Sequence, residues 1–195
     1  MDTKTIVTKE QIVVASKQVF KLRGYNDVTM AHIAAACGMG RSSLYYYFKN
    51  KEQVFTAFTQ QELTDILNKA ASKIKVNRSF YDNFLNFNRE RLRLLVNLLN
   101  DYQNLLNDVR ENLQILHIVR NATFQQEYAI FRQMLVLGMK SNDIAAISVQ
   151  DLNFLTTNLI YALKGLEQEI FLFGKIEELT SRLDWVTSII SKGLK

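Results

Sequence analysis

The stretch that decides the fold of this chain is residues 28–52, which read VTMAHIAAACGMGRSSLYYYFKNKE. Thr29 is a favourable N-cap residue, and it precedes a short helix whose apolar side chains recur at helical spacing. Gly38 follows within about ten residues, and its freedom in φ predicts a sharp turn. A third helix begins just after this turn, and in it Leu44 and Phe48 lie four positions apart and are predicted to face inward.

Two short helices joined by a tight turn, behind a longer bracing helix, form the architecture of a helix-turn-helix DNA-binding domain. The bracing helix is predicted from about Thr8 to Arg23. A fourth helix is predicted to begin after Asn50, its N-cap residue. Gln53 lies three positions later, which is close to a capping-box pattern. The positions predicted to face outward carry arginine, serine and tyrosine, which can bond to base edges or to phosphates. The candidate DNA-binding residues are Thr29, Arg41, Ser42, Ser43, Tyr45, Tyr46, Tyr47 and Lys51.

Most of the net positive charge of the chain lies in residues 1–60. The net charge is +5, and residues 1–60 contain eight basic and four acidic side chains. Such an asymmetry favours a polyanion as the partner of this part, although a solvated basic face is the alternative.

The run of four aromatic residues from Tyr45 to Phe48 could be part of the hydrophobic core. However, four consecutive side chains cannot all face one side of a helix, so at least one or two must point outward.

Residues 28–52 resemble the DNA-binding signature of the TetR/AcrR family of transcriptional regulators. The resemblance lies in the opening threonine, the Ile-Ala pair, the turn glycine, the Leu-Tyr-x-x-Phe core and the Lys-x-Lys-Glu exit. It extends to the end of the first helix and covers about a quarter of the chain. Tyr47 stands where the family often has histidine. The resemblance implies a dimer that reads a palindromic operator, with a divergent ligand-binding domain behind the reading heads.

The overall composition indicates a folded, all-α protein. Hydrophobic residues make up 48% of the 195 residues and charged residues 22%, which excludes a disordered or collagen-like chain. The chain has no proline and only seven glycines, and this favours helices over turn-rich β structure. One cysteine, Cys37, and two histidines leave little material for a disulfide or a metal site, so we expect neither a metal nor a cofactor. No apolar run approaches a membrane span, and the N-terminus does not look like a signal peptide, so we expect a cytoplasmic protein.

The remaining sequence predicts a second, helical domain over residues 54–195, after a DNA-binding domain over residues 1–53. Two long amphipathic helices at the C-terminal end, separated by Gly174, could pair with those of a second copy as a four-helix bundle. The alternative is that their apolar stripes close the core of one subunit. Phe154, Phe171 and Trp185 lie off the stripe and favour pairing, as does the resemblance, in which the last two helices form the dimer interface. The candidate interface residues are Leu155, Leu159, Leu166, Ile170, Leu179, Leu183, Val186 and Ile190.

An effector pocket is expected between the central helices, and aromatic and polar side chains there would suit a hydrophobic or aromatic small molecule. For each of these residues the alternative of ordinary core is the commoner one. His117 and Arg120, one turn apart, could hold an anionic head group or could lie at the surface. The candidate pocket residues are Phe84, Phe87, Tyr102, His117, Phe124, Tyr128, Phe131 and Tyr161.

Together these features predict a ligand-responsive transcriptional regulator, a repressor, that binds operator DNA as a homodimer and is released by a small hydrophobic effector. The alternative is a helical protein-interaction module without sequence-specific DNA binding. An enzyme is not expected, because the chain has no P-loop, no His-Glu-x-x-His and no Gly-x-Ser-x-Gly motif. Its Gly-Met-Gly turn is only a fragment of a dinucleotide loop, and no strand precedes it.

Overall fold

The computed structural model describes the backbone of residues 3–195 and the side chains from Thr8 onward. Ten α-helices account for most of these residues, and the described part of the chain contains no β-strand, so the predicted all-α fold is confirmed. The helices are α1 Thr3–Arg23, α2 Met30–Ala36, α3 Arg41–Tyr47, α4 Lys51–Ala71, α5 Phe80–Asp101, α6 Gln103–Glu111, α7 Leu113–Asn121, α8 Phe124–Lys140, α9 Val149–Phe173 and α10 Ile176–Gly193.

The chain forms two compact units, and each combines segments that are distant in sequence. The first unit comprises residues 1–63 and 98–122, and the second comprises residues 64–97 and 123–195. This division differs from the predicted one at residue 53, because α4 and α5 each contribute to both units and α6 and α7 join the N-terminal helices. A boundary drawn along the sequence misses such a return of the chain.

The core of the first unit is an aromatic cluster that joins α1 to α4. The Phe20 ring lies 5.3 Å from that of Phe55 and 5.2 Å from that of Phe58, and all three rings are buried. Tyr25 packs edge-on against Phe55, and Tyr102, which directly precedes α6, packs against Phe58. Aromatic side chains bury a large area each, so this cluster supplies much of the stability of the unit.

The second unit encloses a larger apolar core between α5, α8 and α9. Phe131 packs edge-on against both Phe84 and Phe87, with ring centroids 5.7 Å apart in each pair. Gly138 lies against this core, where an added Cβ would meet the Cβ of Phe80 at 2.9 Å, so the close contact between α8 and α5 requires a glycine. Gly174 ends α9 with a φ of 68°, as its position after the apolar stripe predicted.

One predicted helix is interrupted. The sequence predicts one helix over residues 104–119, whereas the structure divides this stretch at Asn112. The Asn112 side chain accepts a hydrogen bond from the backbone N–H of Gln114 and so caps α7. Asparagine competes with the helical backbone for hydrogen bonds and is favoured at N-caps, which explains the break.

Candidate DNA-binding interface

The turn between α2 and α3 is built from local hydrogen bonds. The Thr29 hydroxyl accepts a hydrogen bond from the backbone N–H of His32, and Nδ1 of His32 accepts one from the backbone N–H of Thr29. His32 therefore completes a reciprocal cap, a role that the sequence analysis did not assign to it. Gly38 has a φ of 64°, and the next amide, of Met39, donates to the carbonyl of Ala34 across the turn.

The third helix is anchored by two side chains and leaves the others in solvent. Leu44 is fully buried and Phe48 is almost so, as their spacing predicted. Tyr46 is 71% exposed and Tyr45 is 46% exposed, although both are large aromatic side chains. Tyr47 is half-buried, and its ring packs edge-on against that of Tyr46. The side chains of Arg41, Ser42 and Ser43 are exposed as well, so α3 presents a continuous polar and aromatic face.

Lys51 has a structural contact that the sequence analysis did not predict. Its Nζ donates hydrogen bonds to the carbonyl oxygens of Tyr25 at 2.7 Å and Asn26 at 3.2 Å, and it lies 4.3 Å from the centroid of the Tyr25 ring. Desolvation lowers the pKa of Lys51, and the carboxylates of Asp108 and Asp27 act in the opposite direction. The ammonium thus holds the loop between α1 and α2 in shape, beside the DNA contact predicted for it.

The same loop is held from its other side by Asp108 on α6. Its carboxylate accepts hydrogen bonds from the backbone N–H groups of Tyr25 and Asn26, and Oδ1 accepts one from the Asn26 side chain at 2.7 Å. Gly24 has a φ of 71°, and a Cβ at this position would collide with Oδ2 of Asp108. Gly24 is therefore required both for its backbone conformation and for the approach of the carboxylate. The sequence predicts the helix end at Gly24, but it gives no sign of the contact with Asp108.

Two ion pairs link further parts of the first unit to α1. Nζ of Lys17 lies 2.5 Å from Oε1 of Glu62 on α4, and Nζ of Lys21 lies 2.9 Å from Oδ1 of Asp101. The pair with Asp101 is exposed and contributes little, whereas the pair with Glu62 is more shielded from solvent.

The eight candidate pocket residues do not come together in one site. Phe84, Phe87 and Phe131 are fully buried in the core of the second unit, so the alternative of ordinary core holds for these three. Tyr102 belongs to the first unit, and so does His117, which is exposed and contacts the side chain of Asn121. The residues that remain around one region of the second unit are Phe124 and Tyr128, which are half-buried, and Tyr161, which is 55% exposed.

That region contains a buried ionic cluster, which the sequence analysis missed. Arg91 on α5 pairs with Glu127 on α8 and Glu167 on α9, and Lys164 on α9 pairs with Glu127 at 2.8 Å. The side chains of Arg91, Glu127 and Lys164 are 7%, 3% and 6% exposed. The hydroxyl of Thr123 donates to the same Glu127 carboxylate at 3.2 Å. Charged residues are almost never fully buried unless they are paired, and each of these three has an oppositely charged partner within 3.0 Å.

The C-terminal helices keep their predicted apolar stripe inside the subunit. Leu159, Ile170 and Leu183 are buried, which corrects their assignment to the dimer interface, because a side chain in the subunit core cannot reach a partner. The five other candidates are half-buried: Leu155, Leu166, Leu179, Val186 and Ile190. The opposite face of the same two helices carries the exposed apolar side chains Phe154, Tyr161, Trp185 and Ile189.

Other kinds of site were sought among the described residues. They contain no group of three or more histidine, cysteine or acidic side chains that could hold a metal ion. None of the described helices combines the length and the apolar character that crossing a membrane requires.

Comparison with known proteins agrees with the geometry of the front helices. Residues 12–58 match the model of the bacterial regulatory proteins of the tetR family. The chain is 36% identical over 62 residues to the HTH-type transcriptional repressor BepR of Brucella suis biovar 1 (strain 1330), over 29% of this chain and 30% of that protein. It is 29% identical over 79 residues to the HTH-type transcriptional regulator YhgD of Bacillus subtilis (strain 168), over 40% of this chain and 41% of that one. The matched part thus spans less than half the length of either relative.

Solved structures extend the likeness to the whole fold. A TetR-family regulator from Pectobacterium atrosepticum has a TM-score of 0.72 at 17% identity, with 100% of this chain and 97% of that one covered. A transcriptional regulator from Cytophaga hutchinsonii has a TM-score of 0.68 at 20% identity, with 95% and 97% covered. Both the partly matched relatives and these solved structures are named as regulators of transcription. Residues 12–58 of the chain therefore match the tetR family of bacterial regulatory proteins, and the chain as a whole has a fold similar to that of the solved members.

Proposed function

We propose that the chain is a ligand-responsive transcriptional regulator, a repressor acting in the cytoplasm, that binds a palindromic operator as a homodimer. The observation that carries this proposal is the division of α3 into two faces. Leu44 and Phe48 fix the helix to its domain, while Tyr45 and Tyr46 remain exposed beside Arg41. Exposed aromatic side chains next to a basic one are costly without a ligand, and the major groove of DNA fits a helix of this kind.

The exposed face divides into base contacts and phosphate contacts. Arg41 can donate two hydrogen bonds to guanine, and Ser42, Ser43 and Tyr45 can reach base edges or a thymine methyl group. We assign the phosphate contacts to Tyr46 and to Thr29, Tyr47 and Lys51. The Thr29 oxygen already accepts from the His32 amide, so its hydroxyl proton remains for a phosphate oxygen.

Titration of operator DNA selected from a random pool tests this assignment. Arg41→Ala is expected to relax discrimination at one base pair, at a cost of about 1–3 kcal/mol. Lys51→Ala is expected to weaken binding to all sequences and to lower the salt slope by about one. Arg93→Ala is the matched control, since Arg93 is an exposed arginine outside this surface. If Arg41→Ala binds as tightly and as selectively as the parent chain, the base assignment is wrong.

We assign the dimer contact to the exposed apolar face of α9 and α10. Phe154 is 72% exposed, Trp185 is 62% exposed and Ile189 is 51% exposed. Apolar side chains grouped on adjacent helices mark an interaction surface, and two helices per subunit can form a four-helix contact between copies. Closed two-fold pairing also matches the symmetry of a palindromic operator.

Light scattering during size exclusion tests this contact. The parent chain is expected to elute as a dimer, and Trp185→Glu as a monomer, because a carboxylate would be buried at the contact. Val76→Glu is the control, since Val76 is also exposed but lies in the loop before α5. A parent chain that is monomeric at high micromolar concentration contradicts the dimer.

The alternative function is a helical module that binds another protein and no specific DNA. The exposed tyrosines of α3 would then dock a protein surface. DNA selection separates the two functions, because only the regulator enriches a consensus with two related half-sites. An effector that releases the regulator would lower the affinity for this consensus, and such coupling amounts to about 1–3 kcal/mol in allosteric proteins.

A further inference from the structure

One peptide group of the loop between α1 and α2 connects two opposite charges. Its N–H belongs to Asn26 and donates to Oδ2 of Asp108 at 3.1 Å, and its carbonyl belongs to Tyr25 and accepts from Nζ of Lys51 at 2.7 Å. A chain of hydrogen bonds therefore runs from the ammonium through this peptide group to the carboxylate. Hydrogen bonds in such a chain polarise one another, so the charge of Asp108 makes the Tyr25 carbonyl a better acceptor.

Further contacts fix both charged groups to the same loop. Nζ of Lys51 also donates to the Asn26 carbonyl at 3.2 Å and lies 4.3 Å from the centroid of the Tyr25 ring. The Asp108 carboxylate also accepts from the Tyr25 amide and, at 2.7 Å, from the side chain of Asn26. The loop is thus bonded to Asp108 through its amides and to Lys51 through its carbonyls, and a shift of its peptide groups would shift the ammonium as well.

These contacts leave the charge of Lys51 available to an anion. Lys51 is half-buried, and the two carbonyls use two of the three N–H donors of its ammonium. The peptide group keeps the Asp108 carboxylate apart from the ammonium, so the two charges do not form a direct ion pair. A DNA phosphate can therefore form a charge-assisted hydrogen bond with an ammonium that is already held in place.

We propose that Asp108 is a positioning residue for DNA binding, which acts on an operator phosphate through the peptide group of the loop and the Lys51 ammonium. This inference rests on the proposed function, which assigns a phosphate contact to Lys51. An ammonium that is ordered before binding loses less entropy when the phosphate arrives. The acidic side chain thus strengthens the binding of a polyanion, although its charge alone would weaken that binding.

The sign of the effect is measured by titration of the selected consensus duplex at one fixed salt concentration. Asp108→Asn preserves the size of the side chain and removes a negative charge, so charge alone predicts tighter binding. We expect binding about fivefold weaker instead, since the two residues share one hydrogen-bond network. Asp101→Asn is the matched control, because it removes the same charge from an exposed residue of the first unit. It is expected to bind as tightly as the parent chain or slightly more tightly.

A double-mutant cycle separates positioning from a general loss of stability. Lys51→Ala is expected to weaken binding about tenfold, the size of a hydrogen bond to a charged group. In that background, Asp108→Asn is expected to weaken binding by less than about twofold, because the ammonium on which it acts is gone. An equal loss in both backgrounds, with folding verified by circular dichroism, would show that Asp108 only stabilises the unit and would overturn the inference.

The remaining outcomes distinguish the inference from the proposed function. Unchanged or tighter binding by Asp108→Asn overturns the inference alone, provided that Lys51→Ala still weakens binding. Unchanged binding by Lys51→Ala removes the phosphate contact and the inference with it. If Asp108→Asn does not fold, Asp108→Glu replaces it, because the carboxylate lies so close to Gly24 that a longer side chain cannot keep its place. The same loss of about fivefold, again dependent on Lys51, is then expected.

Discussion

Replacement of Asp108 by alanine is expected to loosen the loop between α1 and α2, although Asp108 is about 80 residues away in sequence. Its carboxylate accepts three hydrogen bonds from this loop, and the one from the Tyr25 amide is partly buried. A hydrogen bond to a charged group contributes about 1.5–3 kcal/mol, and the two exposed bonds contribute about 0.5 kcal/mol each. We therefore expect Asp108→Ala to destabilise the first unit by about 2.5–4 kcal/mol.

Amide hydrogen exchange is the assay that locates this effect. A loss of about 2.5–4 kcal/mol corresponds to faster exchange, by about seventy-fold to nine hundred-fold, in peptides that contain Tyr25 and Asn26. Trp185 lies in the second unit and is the only tryptophan, so its fluorescence during urea unfolding reports that unit separately. Asp108→Asn keeps an acceptor without the charge and is expected to fall between the parent chain and Asp108→Ala.

The matched control is Asp101→Ala. Asp101 also pairs with the first helix, through Lys21, but its side chain is 62% exposed. Exposed pairs contribute at most about 1 kcal/mol, and we expect less than 0.5 kcal/mol here. If Asp108→Ala changes stability and exchange no more than Asp101→Ala does, the carboxylate does not hold the loop and the reasoning fails.

Three further substitutions test the packing and the caps. Gly138→Ala is expected to lower the free energy of unfolding by about 1–3 kcal/mol, and with it the thermal midpoint, because its Cβ would overlap Phe80. Gly165→Ala has open space and should not destabilise in the same circular dichroism melt; equal losses would contradict the crowding. Leu44→Ala is expected to cost about 2–5 kcal/mol in urea unfolding and to abolish DNA binding, and retention of full affinity would show that α3 needs no such anchor. His32→Ala is expected to cost about 0.5–1 kcal/mol by loss of its capping bond, and a stability equal to the parent would exclude that bond.

The sequence predicts the front helices well because their determinants are local. The cap at Thr29, the turn at Gly38 and the inward spacing of Leu44 and Phe48 all act within a few residues, and each has the predicted structure. Asn50 likewise caps α4 as predicted, since its side chain accepts from an amide three residues later. Periodicity and capping chemistry are visible in a single sequence for this reason.

The polar contacts between distant helices were not predictable in the same way. Asp108 and the charges around Arg91 occupy helix positions that read as ordinary solvent-facing residues, and their partners lie 36 to 83 positions away. The apolar stripe of the last helices was recognised, but periodicity cannot say whether a stripe faces its own subunit or a second copy. In the structure Leu159 and Leu183 lie in the subunit core, whereas Phe154 is exposed on the other face of α9.

The hydrogen bonds of Lys51 and Asp108 to the loop between α1 and α2 also limit how the N-terminal helices can be transferred to another protein. Lys51 donates to carbonyl groups of the loop, and Asp108 accepts from its amides. Of these two residues, Asp108 lies outside residues 1–53. A chimera that transplants residues 1–53 onto another regulator would leave those amides without an acceptor. Exchange of reading heads between such proteins therefore has to carry an acidic residue at the matching turn of the recipient's sixth helix.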